Sequence, residues 1–130
     1  MQSWRRLCCP IDFSDASRTA LQHAAYLANV LNGELTLVHV RPAGSISRDR
    51  EQELDSRLAA WARDAEWRAN REVTSVVLMG YPGDEILRLA REGHFDVLVF
   101  GTRRAHLGLG SLVEQVMRLT SCPVVGVREA

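Results

Sequence analysis

The side chains best suited to moving protons near neutral pH are His23, His39, His94 and His106. They fall on different predicted elements, with no nucleophile motif beside any of them and no metal-ligand spacing, so no acid–base or metal catalyst is assembled along the chain. His39, at the end of an apolar run, and His106, in a glycine-containing loop, are the two placed to touch a ligand in a crevice. The three cysteines offer neither a disulfide framework nor the spacing of a zinc site. Cys8 and Cys9 are neighbours on a predicted strand and so point to opposite faces, and Cys122 is distant; all three read as small buried residues. Asp12 and Ser14 have the spacing of a turn followed by a helix cap, in which Asp12 bonds turn amides and Ser14 the first helical amides. The run Ser111-Leu112-Val113-Glu114 has the spacing of a capping box, which satisfies helix amides without any ligand.

These residues have to be positioned by an alternation of short apolar runs and longer helical patterns. Residues 7–11 predict a first strand, followed by a helix capped by Ser14, with an apolar stripe from Ala16 to Leu31 and a stop at Asn32 and Gly33. Residues 34–40 predict a second strand whose apolar content suits a sheet covered on both faces. From residue 49 to about 71, Leu54, Leu58, Trp61, Ala62, Ala65 and Ala69 share a helical face, and Glu53 with Arg57 and Asp64 with Arg68 form four-apart pairs on the solvated side. Trp61 and Trp67 on that helix suit either a partner surface or amphipathic core packing. A strand over 73–79, a turn over 80–83, a helix over 84–92 ending at Gly93, a strand over 95–100, a helix around Leu112, Val116 and Leu119, and a closing strand over 123–127 complete the order βαβαβαβαβ.

Helix-length crossovers between successive strands require a parallel sheet with right-handed connections. The predicted fold is therefore α/β: a three-layer, doubly wound, five-stranded parallel sheet forming one domain over residues 1–130. In such sheets ligands bind beyond the carboxyl ends of the strands, where strand order reverses and helix N-termini gather. Those ends carry residues 10–14, 40–42, 79–82 and 101 onward.

At these strand ends the chain resembles the universal stress protein family over nearly its whole length. Pro10-Ile11-Asp12-Phe13-Ser14 with Ser17 and Ala20 resembles the family's first strand and turn, and Leu35-Thr36-Leu37-Val38-His39-Val40 its second strand. Gly80-Tyr81-Pro82 leading into Ile86 and Ala90, then Asp96-Val97-Leu98-Val99-Phe100-Gly101-Thr102, resemble its third unit and fourth strand. Gly110-Ser111-Leu112-Val113-Glu114-Gln115-Val116 and Cys122-Pro123-Val124-Val125-Gly126-Val127 resemble its last helix and strand. The resemblance implies an adenine-nucleotide hydrolase-like fold and a stress-response regulatory or binding module, not an enzyme. It also implies a nucleotide site with Asp12 near ribose or adenine, Val40 against the base, and Gly101, Gly110 and Ser111 near phosphates.

ATP-binding members carry a glycine, two residues, a glycine, nine residues, then glycine and serine or threonine. Here Gly101 opens the pattern, Arg104 stands at the second glycine, and only residues 105–109 precede Gly110-Ser111, a loop about four residues short. Arg103 and Arg104 would offset the damaged backbone cradle with charge-assisted bonds to phosphate. ATP is thus the cofactor the resemblance allows, in a nucleotide-dependent switch that is the alternative to a nucleotide-independent module. The family also commonly dimerises through its last strand, and the short apolar strand of Val124, Val125 and Val127, expected at a sheet edge, points to a homodimer on its own chemistry. A further protein partner of unknown identity belongs to the same reading.

Composition narrows the remaining classes. Sixteen Lys+Arg against sixteen Asp+Glu give a formal net charge of +0, so the basic field that attracts nucleic acid or anionic membrane is missing. Hydrophobic residues at 46% and charged residues at 25% match an ordinary globular domain. Arg5 and Arg6 are followed closely by Asp12 and Asp15, which leaves no signal-peptide core and no bilayer span, and the cytoplasm is the expected location.

Overall fold

The computed structural model describes residues 4–102 and 111–129. The elements are β1 (Arg6–Pro10), α1 (Asp15–Leu31), β2 (Glu34–Arg41), α2 (Arg48–Ala69), β3 (Val73–Met79), α3 (Pro82–Glu92), β4 (Val97–Thr102), α4 (Ser111–Leu119) and β5 (Val124–Arg128). The five strands form one parallel sheet in the order β3-β2-β1-β4-β5. The chain therefore winds outward from β1 to β3 on one side, then returns to place β4 against β1, so the reversal of strand order lies between β1 and β4.

Alternation along the strands divides the core into two layers. Leu7, Cys9, Leu35, Leu37, Val97 and Val99 face α1 and α2, where Ala20, Leu21, Ala24, Ala28, Trp61 and Ala65 meet them. Cys8, Val38, Leu98 and Phe100 point the other way, against Ile86 and Ala90 of α3 and Val113 and Val116 of α4. Adjacent Cys8 and Cys9 are thus split between the layers and both fully buried. Cys122 departs from the predicted burial: it lies outside a regular strand and is only half-buried. Among the described residues no helix is long and apolar enough to cross a membrane.

Helix ends follow local chemistry. Ser14 caps α1 by accepting from the amide of Ser17, and Asn32 closes it in the left-handed region at φ 58°. Ser47 and Asn70 do the same for α2. Helix α3 begins at Pro82, two residues before the predicted start, because proline fits a first-turn position whose N–H needs no partner. Strand β4 begins at Val97, not residue 95, because the Asp96 carboxylate is used in the preceding turn, accepting the amides of Arg5 and Arg6 at 2.9 Å each. One predicted ion pair is not made: Glu53 pairs with Arg50 at 2.9 Å, while Arg57 leaves it to lie over the Phe13 ring. The Arg68–Asp64 pair forms as expected at 3.0 Å. Trp61 is 7% exposed and packs in the core, whereas Trp67 is 81% exposed.

Candidate functional site: the crevice at the strand carboxyl ends

Strand β1 delivers the first candidate. After Pro10 the chain still bonds to β2, Ile11 donating to the Val38 carbonyl at 2.7 Å, and then turns sharply. Asp12 makes the turn: its Oδ1 accepts both the amide of Ser14, at 3.0 Å, and the Ser14 hydroxyl. The same hydroxyl oxygen accepts from the amide of Ser17 at 3.1 Å, so Ser14 is committed to the turn and cap. Burial pushes the Asp12 carboxyl up, but the bonds from the Ser14 hydroxyl and amide, with Ser17 and its own amide helping, outweigh that and leave it below the usual carboxylate range. Asp12 is an exposed, ionised acceptor at the top of the central strand, already engaged through one oxygen.

Between them Phe13 adopts φ 63°, a left-handed conformation that a bulky side chain enters only when its surroundings hold it there. Its ring lies 4.7 Å from His39 and 5.2 Å, edge-on, from Trp61. Arg57 stacks over Phe13 at 4.5 Å and Arg18 over Trp61 at 4.4 Å. This cluster closes the α1–α2 side of the strand ends. It escaped the sequence reading because Phe13, His39 and Trp61 stand on three different elements; the only cue was that each sits near a strand end or on the α2 core stripe.

His39, expected to face the crevice, is buried and its Nδ1 lies 2.9 Å from the Ile11 carbonyl. A carbonyl only accepts, so the proton sits on Nδ1 and the ring serves to tie β1 to β2. Next along that strand, Arg41 is also buried and reaches Asp55 of α2 at 2.6 Å, while its Nε has no partner among the described residues. Val40, between them, points to the opposite layer, where it is half-buried against the cluster around Val38 and Phe100.

Gly101 stands near the end of β4, across the reversal from β1, and its role is set by packing. A Cβ added there would lie 2.1 Å from the Ala16 carbonyl oxygen and 2.8 Å from the Ser17 nitrogen, so α1's first turn rests directly on the strand. Thr102 follows, buried, with its hydroxyl 3.4 Å from the Val127 carbonyl of β5. Arg103, Arg104, His106 and Gly110 lie outside the described residues. Ser111 opens α4 with Glu114 in the first turn; the capping box expected of its side chain also lies outside them.

The described residues thus bring Asp12, Val40 and Gly101 to one end of the sheet, with His39 beneath them as a tie. Ser14 and His39 are both spent on structural bonds, and among the described residues no group of histidine, cysteine, aspartate or glutamate could hold a metal ion. Burial raises Cys8 well above its ordinary value and Cys9 to about 12, and burial with the nearby Asp96 charge raises Cys122, so the thiols stay protonated at neutral pH. The arrangement presents an acceptor, an apolar flank and strand-end backbone: groups of the kind that can hold a ligand, with no reacting group among them.

Comparison with known proteins gives a consistent result. The model of the Universal stress protein family matches residues 3–128. A universal stress protein of Methanocaldococcus jannaschii is 23% identical, the match covering 96% of this chain and 95% of that one. A crystal structure of a universal stress protein in complex with cAMP superposes with a TM-score of 0.78 at 22% identity, covering 99% of this chain and 100% of the other. The universal stress protein of Archaeoglobus fulgidus in complex with dAMP gives 0.78 at 20% identity, covering 97% and 99%.

Proposed function

The chain belongs to the universal stress protein family, and we propose that it acts in the cytoplasm as a homodimeric binding module of the stress response, holding a partner protein or nucleotide without a catalytic step of its own. The observation that carries the dimer is the position of β5, the last strand of the sheet on the β4 side. Leu98 donates to the Pro123 carbonyl and Glu129 to that of Thr102, so the odd-numbered residues of β5 turn their backbone groups toward β4. Val124, Gly126 and Arg128 turn theirs outward, where a second copy would pair with them. Light scattering across a concentration series tests this. A mass of twice the 14.5 kDa chain is expected for the unaltered protein, and dissociation for Gly126→Pro, which removes an outward N–H without touching the β4 ladder. A monomer at every concentration overturns the proposal.

A second reading, the nucleotide-dependent switch, is favoured by one observation: two relatives of the same fold were crystallised with cAMP and dAMP. Each ligand has a single phosphate. The short loop between Gly101 and Gly110 has less chain to surround a triphosphate, so a nucleoside monophosphate suits it better than ATP. Asp12 and Val40 would flank the nucleoside, and the loop with Arg103, Arg104 and Ser111 would meet the phosphate. Calorimetric titration of nucleotide-free protein distinguishes the readings: tighter binding of AMP than of ATP supports the switch with this preference, and no binding of either supports the nucleotide-independent module.

A further inference from the structure

The end of the sheet opposite the crevice holds a recess of its own. A cavity of about 410 Å3 opens where the last turn of α3, the turn before β4 and the connection from α4 to β5 meet. Its size falls within the range of small-molecule sites. One wall carries Arg91, whose Nη2 donates to the Leu119 carbonyl at 3.2 Å, fixing the guanidinium through one of its donors. Another carries Asp96, whose Oδ2 is held by the amides of Arg5 and Arg6, leaving Oδ1 without a partner among the described residues. Thr120 accepts from the Cys122 amide at 3.2 Å through its hydroxyl oxygen and keeps its own hydrogen to donate. Phe95, Leu119 and Pro123 are its apolar lining residues, a minor share of a mostly polar surface.

A cavity with one anchored cation and one anchored anion discriminates by charge pattern. A simple anion entering it faces Asp96, a simple cation faces Arg91, and an uncharged apolar molecule leaves both charges partly desolvated and unpaired. A nucleotide phosphate meets the same Asp96 carboxylate. A molecule carrying both a positive and a negative group satisfies both walls with charge-assisted bonds.

We infer that this cavity binds a small zwitterion, an α-amino acid, its carboxylate on Arg91 and its ammonium on Asp96. The site is separate from the crevice and lies against the start of β5, whose first ladder bond is the one from Leu98 to the Pro123 carbonyl.

The test is titration of isotope-labelled protein with L-leucine, following backbone amide shifts, beside isocaproate, which lacks the ammonium, and isoamylamine, which lacks the carboxylate. Leucine should give saturable shifts at Arg91, Asp96, Thr120 and Cys122, and each single-charge analogue should bind at least about tenfold more weakly. Asp96→Asn keeps an oxygen for the Arg5 and Arg6 amides while removing the charge, and should bring leucine and isocaproate to equal affinity. Arg91→Gln, at an exposed position, should do the same for leucine and isoamylamine. Absence of saturable shifts up to leucine concentrations on the order of tens of millimolar overturns the inference. So does equal binding of leucine and isocaproate to the unaltered protein, or a response confined to the strand carboxyl ends.

Discussion

Replacing Gly101 by alanine separates two roles for that residue, backbone approach to a ligand and backbone approach to α1. The added Cβ would sit 2.1 Å from the Ala16 oxygen and 2.3 Å from its carbonyl carbon, against a limit near 3.0 Å that real contacts of this kind essentially never breach. Both neighbours are backbone atoms in the first turn of a helix, so no side chain can swing aside. Strand and helix must part by about 1 Å, loosening the layer that holds Ala20 and Leu21 on the sheet. Overpacking of this kind costs about 3 kcal/mol, the upper part of its ordinary range. With an unfolding entropy near 2.1 cal/mol/K per residue over 130 residues, that lowers Tm by about 11 °C. Thermal unfolding of the ligand-free protein, followed by far-UV circular dichroism, measures it. If Gly101→Ala melts within about 2 °C of the unaltered protein, the packing argument is refuted and the glycine must be explained by a ligand.

Ser14→Ala removes the α1 cap and should cost about 1 kcal/mol in urea unfolding, with an unchanged m-value. The Asp12 carboxyl sits below its unfolded value, so its contribution to stability is present above the unfolded pKa and is lost as pH falls through the folded one; Asp12→Asn should flatten the acid side of the stability curve and leave its alkaline side alone. A thiol reagent at neutral pH should modify Cys122 slowly and Cys8 and Cys9 only on unfolding, which mass spectrometry of timed digests would show; early labelling of Cys9 would contradict its burial and its raised pKa of about 12.

The order of elements, the parallel sheet and the two-layer core were legible because apolar spacing and helix-length crossovers constrain them strongly. Ser14 and Asn32 marked real helix ends for the reasons their side chains suggest; Gly93 does end α3, but in the right-handed region at φ −82°, not in the left-handed turn that usually calls for glycine there. Boundaries set by a distant partner were not legible. Asp96 belongs to a turn because the amides of Arg5 and Arg6, some ninety residues away, need an acceptor. Position along the chain likewise gave His39 a place near the crevice but not its bond to Ile11, which depends on two strands being side by side. Gly101 shows the same limit from the other direction: a glycine at a strand end suggests a ligand, and only the approach of Ala16 reveals the helix behind it. Arg41, Phe13 and Arg57 were illegible as a group because burial of a guanidinium and stacking on a ring are properties of the assembled layers.

The claim that this chain works as a dimer joined through β5 is tested most directly by amide exchange along that strand at high protein concentration. In the dimer the outward amides of Val124, Gly126 and Arg128 should exchange as slowly as the inward amides of Val125 and Val127, which pair with β4. Fast exchange at the three outward positions beside slow exchange at the two inward ones would mean an open edge, and would contradict it.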